Sequence, residues 1–170
     1  MHVRRETAAD VEPIRAVIAA AFARSGDVPA EVALVDELRA GDAWLPALSL
    51  VATEPGGEVV GHVLCTRGWV GSAPVLGLGP LGVRPDHQRR GVGRALMHAV
   101  LGAADALDEP LVALLGDPAY YAQFGFGLAE RYGIAPPVTV WRPHFQVRPL
   151  SAHDPSLRGR FAYAEPFTRP

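Results

Sequence analysis

Apolar positions along the chain fall into helical and strand-like patterns. Val11, Ile14, Ile18 and Phe22 share one helical face behind Thr7, an N-cap with Asp10 three residues on, a weak capping box. Ser25-Gly26-Asp27 breaks that helix. A second is predicted over 30–39, with Val32, Val35 and Leu38 on one side and Gly41 as its stop. The longest is predicted over 91–107, burying Leu96, Val100, Ala103 and Leu107. Short apolar runs read as strands: 2–6 at an edge, then 48–53 and 59–67 joined by a Glu54-Pro55-Gly56-Gly57-Glu58 turn. A third run, 75–83, carries Gly77, Gly79, Pro80 and Gly82, the mark of a bulge or of another backbone or ligand coming close. The continuous apolar run 111–115 fits a central strand covered on both faces. Asp117-Pro118 caps a short helix over 119–124 that ends at Gly125. Residues 126–143 read as loop, and 145–150 with 160–164 as a closing hairpin around a turn at 151–157.

This order mixes hairpins with one strand–helix–strand crossover. It predicts an α/β (α+β) fold, a mixed and mostly antiparallel sheet flanked by helices, as a single domain over residues 1–170. No internal repeat, linker or low-complexity segment interrupts it.

Composition narrows the chemistry. Sixteen basic and eighteen acidic residues give a net charge of −2, which argues against non-specific nucleic-acid or anionic-membrane binding. All sixteen basic residues are Arg; Lys is absent, as is Asn, a pattern that codon bias in a GC-rich genome accounts for. Its absence still removes a P-loop lysine and any Schiff-base amine. The single cysteine, Cys65, permits no internal disulfide or CxxC motif, and no two of the six His stand at i, i+4, so no metal site is expected. None of the five Ser sits in GxSxG. The start, MHVRRETAAD, has no apolar signal core and no stretch reaches 18 apolar residues, so a cytoplasmic protein without membrane partner is expected.

The informative stretch joins a strand to a helix: Leu81-Gly82-Val83-Arg84-Pro85-Asp86-His87-Gln88-Arg89-Arg90-Gly91-Val92-Gly93-Arg94-Ala95-Leu96. The first turn of a helix presents unpaired N–H groups and the positive end of its dipole, so it binds phosphate oxygens. Gly91 and Gly93 remove side chains where a pyrophosphate would approach, and Arg89, Arg90 and Arg94 add charge. Arg84 brings to four the Arg within eleven residues. A Gly-x-Gly pair is common in a chain with 18 Gly, and Gly77-Leu-Gly79 is another. Position decides: this pair follows a bulged strand at a helix start. Leu96 breaks GxGxxG, which weakens a dinucleotide-binding reading.

At these residues the chain resembles the GCN5-related N-acetyltransferase (GNAT) superfamily, in which Gln/Arg-x-x-Gly-x-Gly/Ala opens the long helix after the fourth strand. A second match, Tyr121-Ala-Gln-Phe-Gly125-Phe126, answers the family's Tyr-x-x-x-Gly-Phe. The run from Leu114 to Phe126 is similar to the YhbS-like subgroup of predicted acetyltransferases. The resemblance implies acetyl-coenzyme A (acetyl-CoA) as cofactor. Backbone groups of Leu81, Gly82 and Val83 would pair with the pantetheine arm, an N–H there polarising the thioester carbonyl. Gln88, Arg89, Arg90, Gly91, Val92, Gly93 and Arg94 would hold the pyrophosphate. Tyr121 would be the general acid for the departing thiolate. Where many members have Asn before the last helix this chain has Gly116-Asp117, so Asp117 reads as a cap. The acceptor would be a small-molecule amine or a peptide or protein amine, and a homodimer through the terminal strands is expected by analogy.

No general base stands out. Glu31, Asp36 and Glu37 lie on the helix that borders the acceptor pocket in the family; His62 and Cys65 lie on opposite faces of one strand. Trp44, Trp69 and Trp141 are core or loop residues or the walls of an acceptor site. Two functions stay open: acetyl transfer to an amine by direct attack in a ternary complex, or a catalytically silent coenzyme A-binding regulatory domain.

Overall fold

The computed structural model describes residues 1–169, which divide into two compact units, Met1–Leu64 with Gly79–Ala103, and Cys65–Leu78 with the chain from Ala104. Two strands, β3 (Val59–Val70) and β4 (Ala73–Val83), and the helix α3 (Val92–Ala106) run from one into the other.

In the first unit β1 (His2–Arg5) pairs antiparallel with β2 (Ser49–Thr53), and β2 with β3, the register shifting between Ala52 and Thr53. Thr7 is the cap expected, though with Asp10 as acceptor: Thr7 N–H and Oγ1 donate to Asp10 Oδ2 at 2.7 and 3.0 Å. Arg4 forks onto the same carboxylate at 2.7 and 3.0 Å and, with the Thr7 bonds, holds it down at about 2 although burial opposes this. Helix α1 (Val11–Ala21) follows and buries Ile14, Val17 and Ile18; α2 (Ala30–Ala40) buries Val35 and Leu38 and stops at Gly41.

Beneath α2 lies a polar cluster that periodicity did not reveal. His62 is fully buried, its Nε2 2.9 Å from Ser49 Oγ and 3.3 Å from Glu6 Oε1. Glu6 also accepts from Ser49 and from Arg39 Nε at 2.9 Å; Arg39 and Arg15 in turn hold Asp36 at 3.0 and 2.9 Å. Burial raises the Glu6 carboxyl, but hydrogen bonds from His62, Arg39 and Ser49 win and bring it to about 2.

In the second unit β5 (Leu111–Leu115) pairs parallel with β4 at Leu76 and Gly77, and antiparallel with β8 (Phe145–Pro149) over five residues. The last two strands do not form the expected hairpin. β8 pairs with β5 and β6 (Gly127–Leu128), while β9 (Gly159–Ala162) pairs with β3 and, in parallel, with β7 (Ile134–Ala135). The segment after β8 is pulled aside, since Ser151 N–H and Oγ donate to Asp105 at 2.9 and 3.1 Å. Residues expected as loop thus supply β6 and β7, partners for both closing strands. Phe145 and Phe161 meet at 5.3 Å in an apolar cluster with Leu111, Val147 and Ile134. Gly77 belongs to that packing: a Cβ there would lie 2.8 Å from the Tyr163 ring, so the Gly77-Leu-Gly79 pair begins at a close aromatic contact.

The stripe of α3 differs from the expectation at its end. Leu96, Met97, Val100, Leu101 and Ala104 are buried, whereas Leu107 lies beyond the last turn and is 51% exposed. Positions 96, 100, 103 and 107 stay within about 40° of one line at 3.6 residues per turn, so Leu107 departs because the helix has ended at Ala106.

Candidate active site

The turn leaving β4 is shaped by its local sequence. Pro85 opens a single 3-10 turn over Pro85–His87. Arg89 and Gly91 then take left-handed backbone, φ 62° and 82°, on either side of Arg90. Alternation of this kind turns successive N–H groups to one side and makes a concavity that fits an anion. Gly91 adopts it without the Cβ penalty and has open space around it. The first bond into α3 is from Ala95 N–H to Gly91 C=O at 3.0 Å, so the N–H groups of Val92, Gly93 and Arg94 have no partner further back in the helix. They sit at the positive end of a 15-residue helix.

The side chains around this mouth divide into two sets. Arg84 is committed to carboxylates, 2.6 Å from Asp86 and paired also with Glu58. The Arg84 guanidinium, and then His87, hold Asp86 far below the carboxylate range. Arg89, Arg90 and Arg94 are exposed and have no carboxylate partner among the described residues. Three of the four clustered arginines are therefore free to meet a ligand. Gln88 works inside the turn: its Nε2 donates to Val83 C=O at 3.1 Å, bracing the turn against the strand end. Leu81 and Val83 are half-buried, and the buried Gly82 faces Ala21 and Phe22 at the end of α1, 3.5 Å from a virtual Cβ.

In the second unit Asp117 caps α4 (Pro118–Tyr121), accepting from Ala119 N–H at 2.9 Å with Pro118 at the first position. Tyr121 lies edge-on to Tyr120 at 4.8 Å and to Phe126 at 5.9 Å. A Cβ on Gly116 would lie 2.4 Å from Tyr121 Cε2, so only glycine lets the ring settle over the end of β5. Burial, reinforced by Tyr120, pushes the Tyr121 phenol up to about 12. It is an acid that keeps its proton across the whole neutral range. Gly116 entered the sequence reading only as the neighbour of Asp117, and Gln146, whose amide bonds Gly116 C=O at 3.0 Å, not at all. A spacing of five residues between Gly116 and Tyr121 fits no regular periodicity.

The other candidates separate. His62 is sealed from solvent and burial pushes its pKa down; Cys65 is 1% exposed and burial pushes its thiol up, so neither is placed to take a proton from a substrate. Asp36 is held by two arginines. Glu31 binds Arg24 at 3.1 Å through Oε1, while its Oε2 is buried without a hydrogen-bond partner. Trp44 stacks under Arg39 at 5.5 Å, Trp141 packs on the Phe145 cluster, and Trp69 is 43% exposed. Among the described residues no group of His, Cys, Asp and Glu has the makings of a metal site, and no helix is long and apolar enough to cross a membrane.

A strand that leads through a turn of open N–H groups into a long helix, within a mixed sheet flanked by helices, is shared with coenzyme A-dependent acyltransferases. The acetyltransferase (GNAT) family profile matches residues 17–126. The chain belongs to that family, which makes it an N-acetyltransferase by class, with acetyl-CoA as the family's acyl donor. It is 33% identical over 161 residues to the uncharacterized N-acetyltransferase YhbS of Escherichia coli K12, covering 94% of this chain and 92% of that one. The crystal structure of Escherichia coli YhbS in complex with CoA superposes with a TM-score of 0.89 at 30% identity, over 99% of this chain and 92% of that one. A GNAT family acetyltransferase from Brucella melitensis in complex with acetyl-CoA gives 0.80 at 33% identity, over 98% and 97%.

Proposed function

We propose that residues 1–170 act as one catalytic domain that transfers an acetyl group from acetyl-CoA to an amine by direct attack in a ternary complex. The observation that carries this is the turn at 89–94: a concavity of N–H groups at a helix start, ringed by three arginines without carboxylate partners among the described residues. That is the chemistry a pyrophosphate needs, and arginine supplies it as a permanent forked charge. Backbone groups of Leu81, Gly82 and Val83 take the pantetheine arm, with an N–H there aimed at the thioester oxygen. Support comes from the relatives crystallised with CoA and acetyl-CoA, which superpose over 99% and 98% of this chain. When bound, acetyl-CoA supplies the acetyl thioester, whose C–S bond breaks as the new C–N bond forms.

Tyr121, as general acid, donates to the sulfur as that bond breaks, and the proton that the amine sheds on becoming an amide passes through solvent, so that amide, thiol and neutral phenol result. A phenol at about 12 is a weaker acid than a thiol near 8.5, so it shares its proton in a hydrogen bond more readily than it gives it up. The acceptor is a small-molecule amine or a peptide or protein amine, and the site of action is the cytoplasm. A homodimer would use β1, because β9 is already paired with β7 at Gly159 and Arg160 and with β3 at Phe161 and Ala162.

Thiol release from acetyl-CoA across an amine panel tests the reading. Turnover with some amine is expected, and Tyr121→Phe should lower kcat by roughly 10²–10⁴ with the KM for acetyl-CoA little changed. Cofactor binding without release for any acceptor would instead mark a silent coenzyme A-binding domain. An unchanged kcat in Tyr121→Phe would remove the acid assignment.

A further inference from the structure

Tyr121 stands on a short helix with little to hold it. The four residues Pro118–Tyr121 make a single turn, and the chain reaches it through Gly116, a residue with no side chain to anchor it. What holds this corner comes from another strand. Gln146 of β8 is 1% exposed, and its Nε2 donates to Gly116 C=O at 3.0 Å and to His144 C=O at 3.2 Å. Two carbonyl acceptors use both amide hydrogens and fix which way the amide faces. Gly116 N–H donates to the same His144 C=O at 3.0 Å, so the amide and the peptide close a small ring of bonds around the exit of β5. From there the path to the phenol is short. Asp117 C=O accepts from the N–H groups of Tyr120 and Tyr121 at 3.1 Å each, and the Tyr121 ring lies in the space a Gly116 Cβ would fill.

We propose that Gln146 is a positioning residue for the transfer reaction: its buried side-chain amide fixes the Gly116 peptide, and through it the placement of the Tyr121 phenol. This rests on Tyr121 being the acid. Gln146 touches no substrate. Removing its amide frees the Gly116 carbonyl to turn and lets the ring drift from the end of β5, and small displacements of an acid cost rate more than binding. A purely structural amide would instead lower stability alone.

The test is a square of four proteins: wild type, Gln146→Met, Tyr121→Phe and the double variant. Each is read for kcat and KM with the amine of highest turnover, or by slow acetyl-CoA hydrolysis where no amine is accepted. Gln146→Met should lower kcat about tenfold or more, with the KM for acetyl-CoA within about twofold, and should change kcat less than about twofold in the Tyr121→Phe background. If Gln146→Met does not fold, Gln146→Asn, which keeps an amide but shortens the arm by a methylene, takes its place. NMR of ¹³C-labelled tyrosine supplies a readout independent of turnover. The resonance missing from Tyr121→Phe should shift in the Gln146 variant while that of Tyr132 stays. An equal loss of kcat in both backgrounds, or an unmoved Tyr121 resonance, overturns the role of Gln146. A silent Tyr121→Phe overturns the acid itself, and the two failures are read from different corners of the square.

Discussion

Gly61→Ala tests how tightly the phosphate turn is tied to the core of its unit. Gly61 lies in β3 with ordinary backbone, so the added methyl meets packing and no conformational strain. Its Cβ would lie 2.8 Å from Val92 Cγ1 and 2.9 Å from Leu96 Cδ1. An ordinary carbon contact is ~3.5–4.0 Å, so the start of α3 must move by about 0.7 Å. Val92 is β-branched and buried and cannot rotate away cheaply, which makes the displacement one of the helix end itself. Overpacking of this kind costs about 1–3 kcal/mol, or roughly 2–12 °C in Tm for a chain of this size. The same shift carries the N–H groups of Val92, Gly93 and Arg94 off their ligand, so the Kd for coenzyme A should rise about 3- to 10-fold. Calorimetry measures both quantities. Gly102→Ala is the control, on an open face of the same helix, and should stabilise by about 0.5–1 kcal/mol. If Gly61→Ala leaves Tm and coenzyme A affinity as they are, the turn is not held by this contact and the packing argument fails.

Two other outcomes are expected. Arg84→Ala should leave coenzyme A affinity within about twofold, because Asp86 and Glu58 already neutralise that charge, whereas Arg90→Ala should weaken it and flatten its salt dependence. Titration calorimetry at two salt concentrations decides between them, and equal losses would refute the division of the arginines. Acid should unfold the protein through the Glu6–His62 cluster. His62 has a lowered folded pKa, so stability is full above its unfolded value near 6.5 and falls as pH drops below it. Glu6, depressed from 4.5 to about 2, adds a loss on the order of 3 kcal/mol between those values. Urea unfolding from about pH 7.5 down to about pH 2 reads both losses; a flat profile, or one unaltered by His62→Gln, would show that the cluster does not set acid stability.

The candidate turn was legible in the sequence because its geometry is local. Gly91, Gly93 and the arginines act within a single strand–helix junction, and spacing along the chain is enough to place them. Helices α1 and α2 were legible for the same reason, through caps and periodicity. The partners of the closing strands were not, because an apolar run specifies a face to bury and not a neighbour to pair with. Both 145–150 and 160–164 read as strands, but their partners come from β3, β5, β6 and β7. Tyr121 was proposed from a motif, whereas the bond from Gln146 to Gly116 beneath it spans thirty residues and is visible only after β8 settles beside β5. The number of free arginines at the mouth likewise depended on where Glu58 folds.

The arginine-only character of that mouth has a consequence for self-modification. An enzyme that holds an activated acetyl thioester exposes its own surface to the acyl group at very high local concentration. Lysine amines are the side chains that such a donor marks, and marking one beside the phosphates would remove charge where it is needed. With sixteen Arg and no Lys, no side chain of this protein offers an alkylamine to be acylated. The charge proposed to recruit the donor cannot be erased by it, and acetyl label found on Lys in a mixture lies outside these 170 residues.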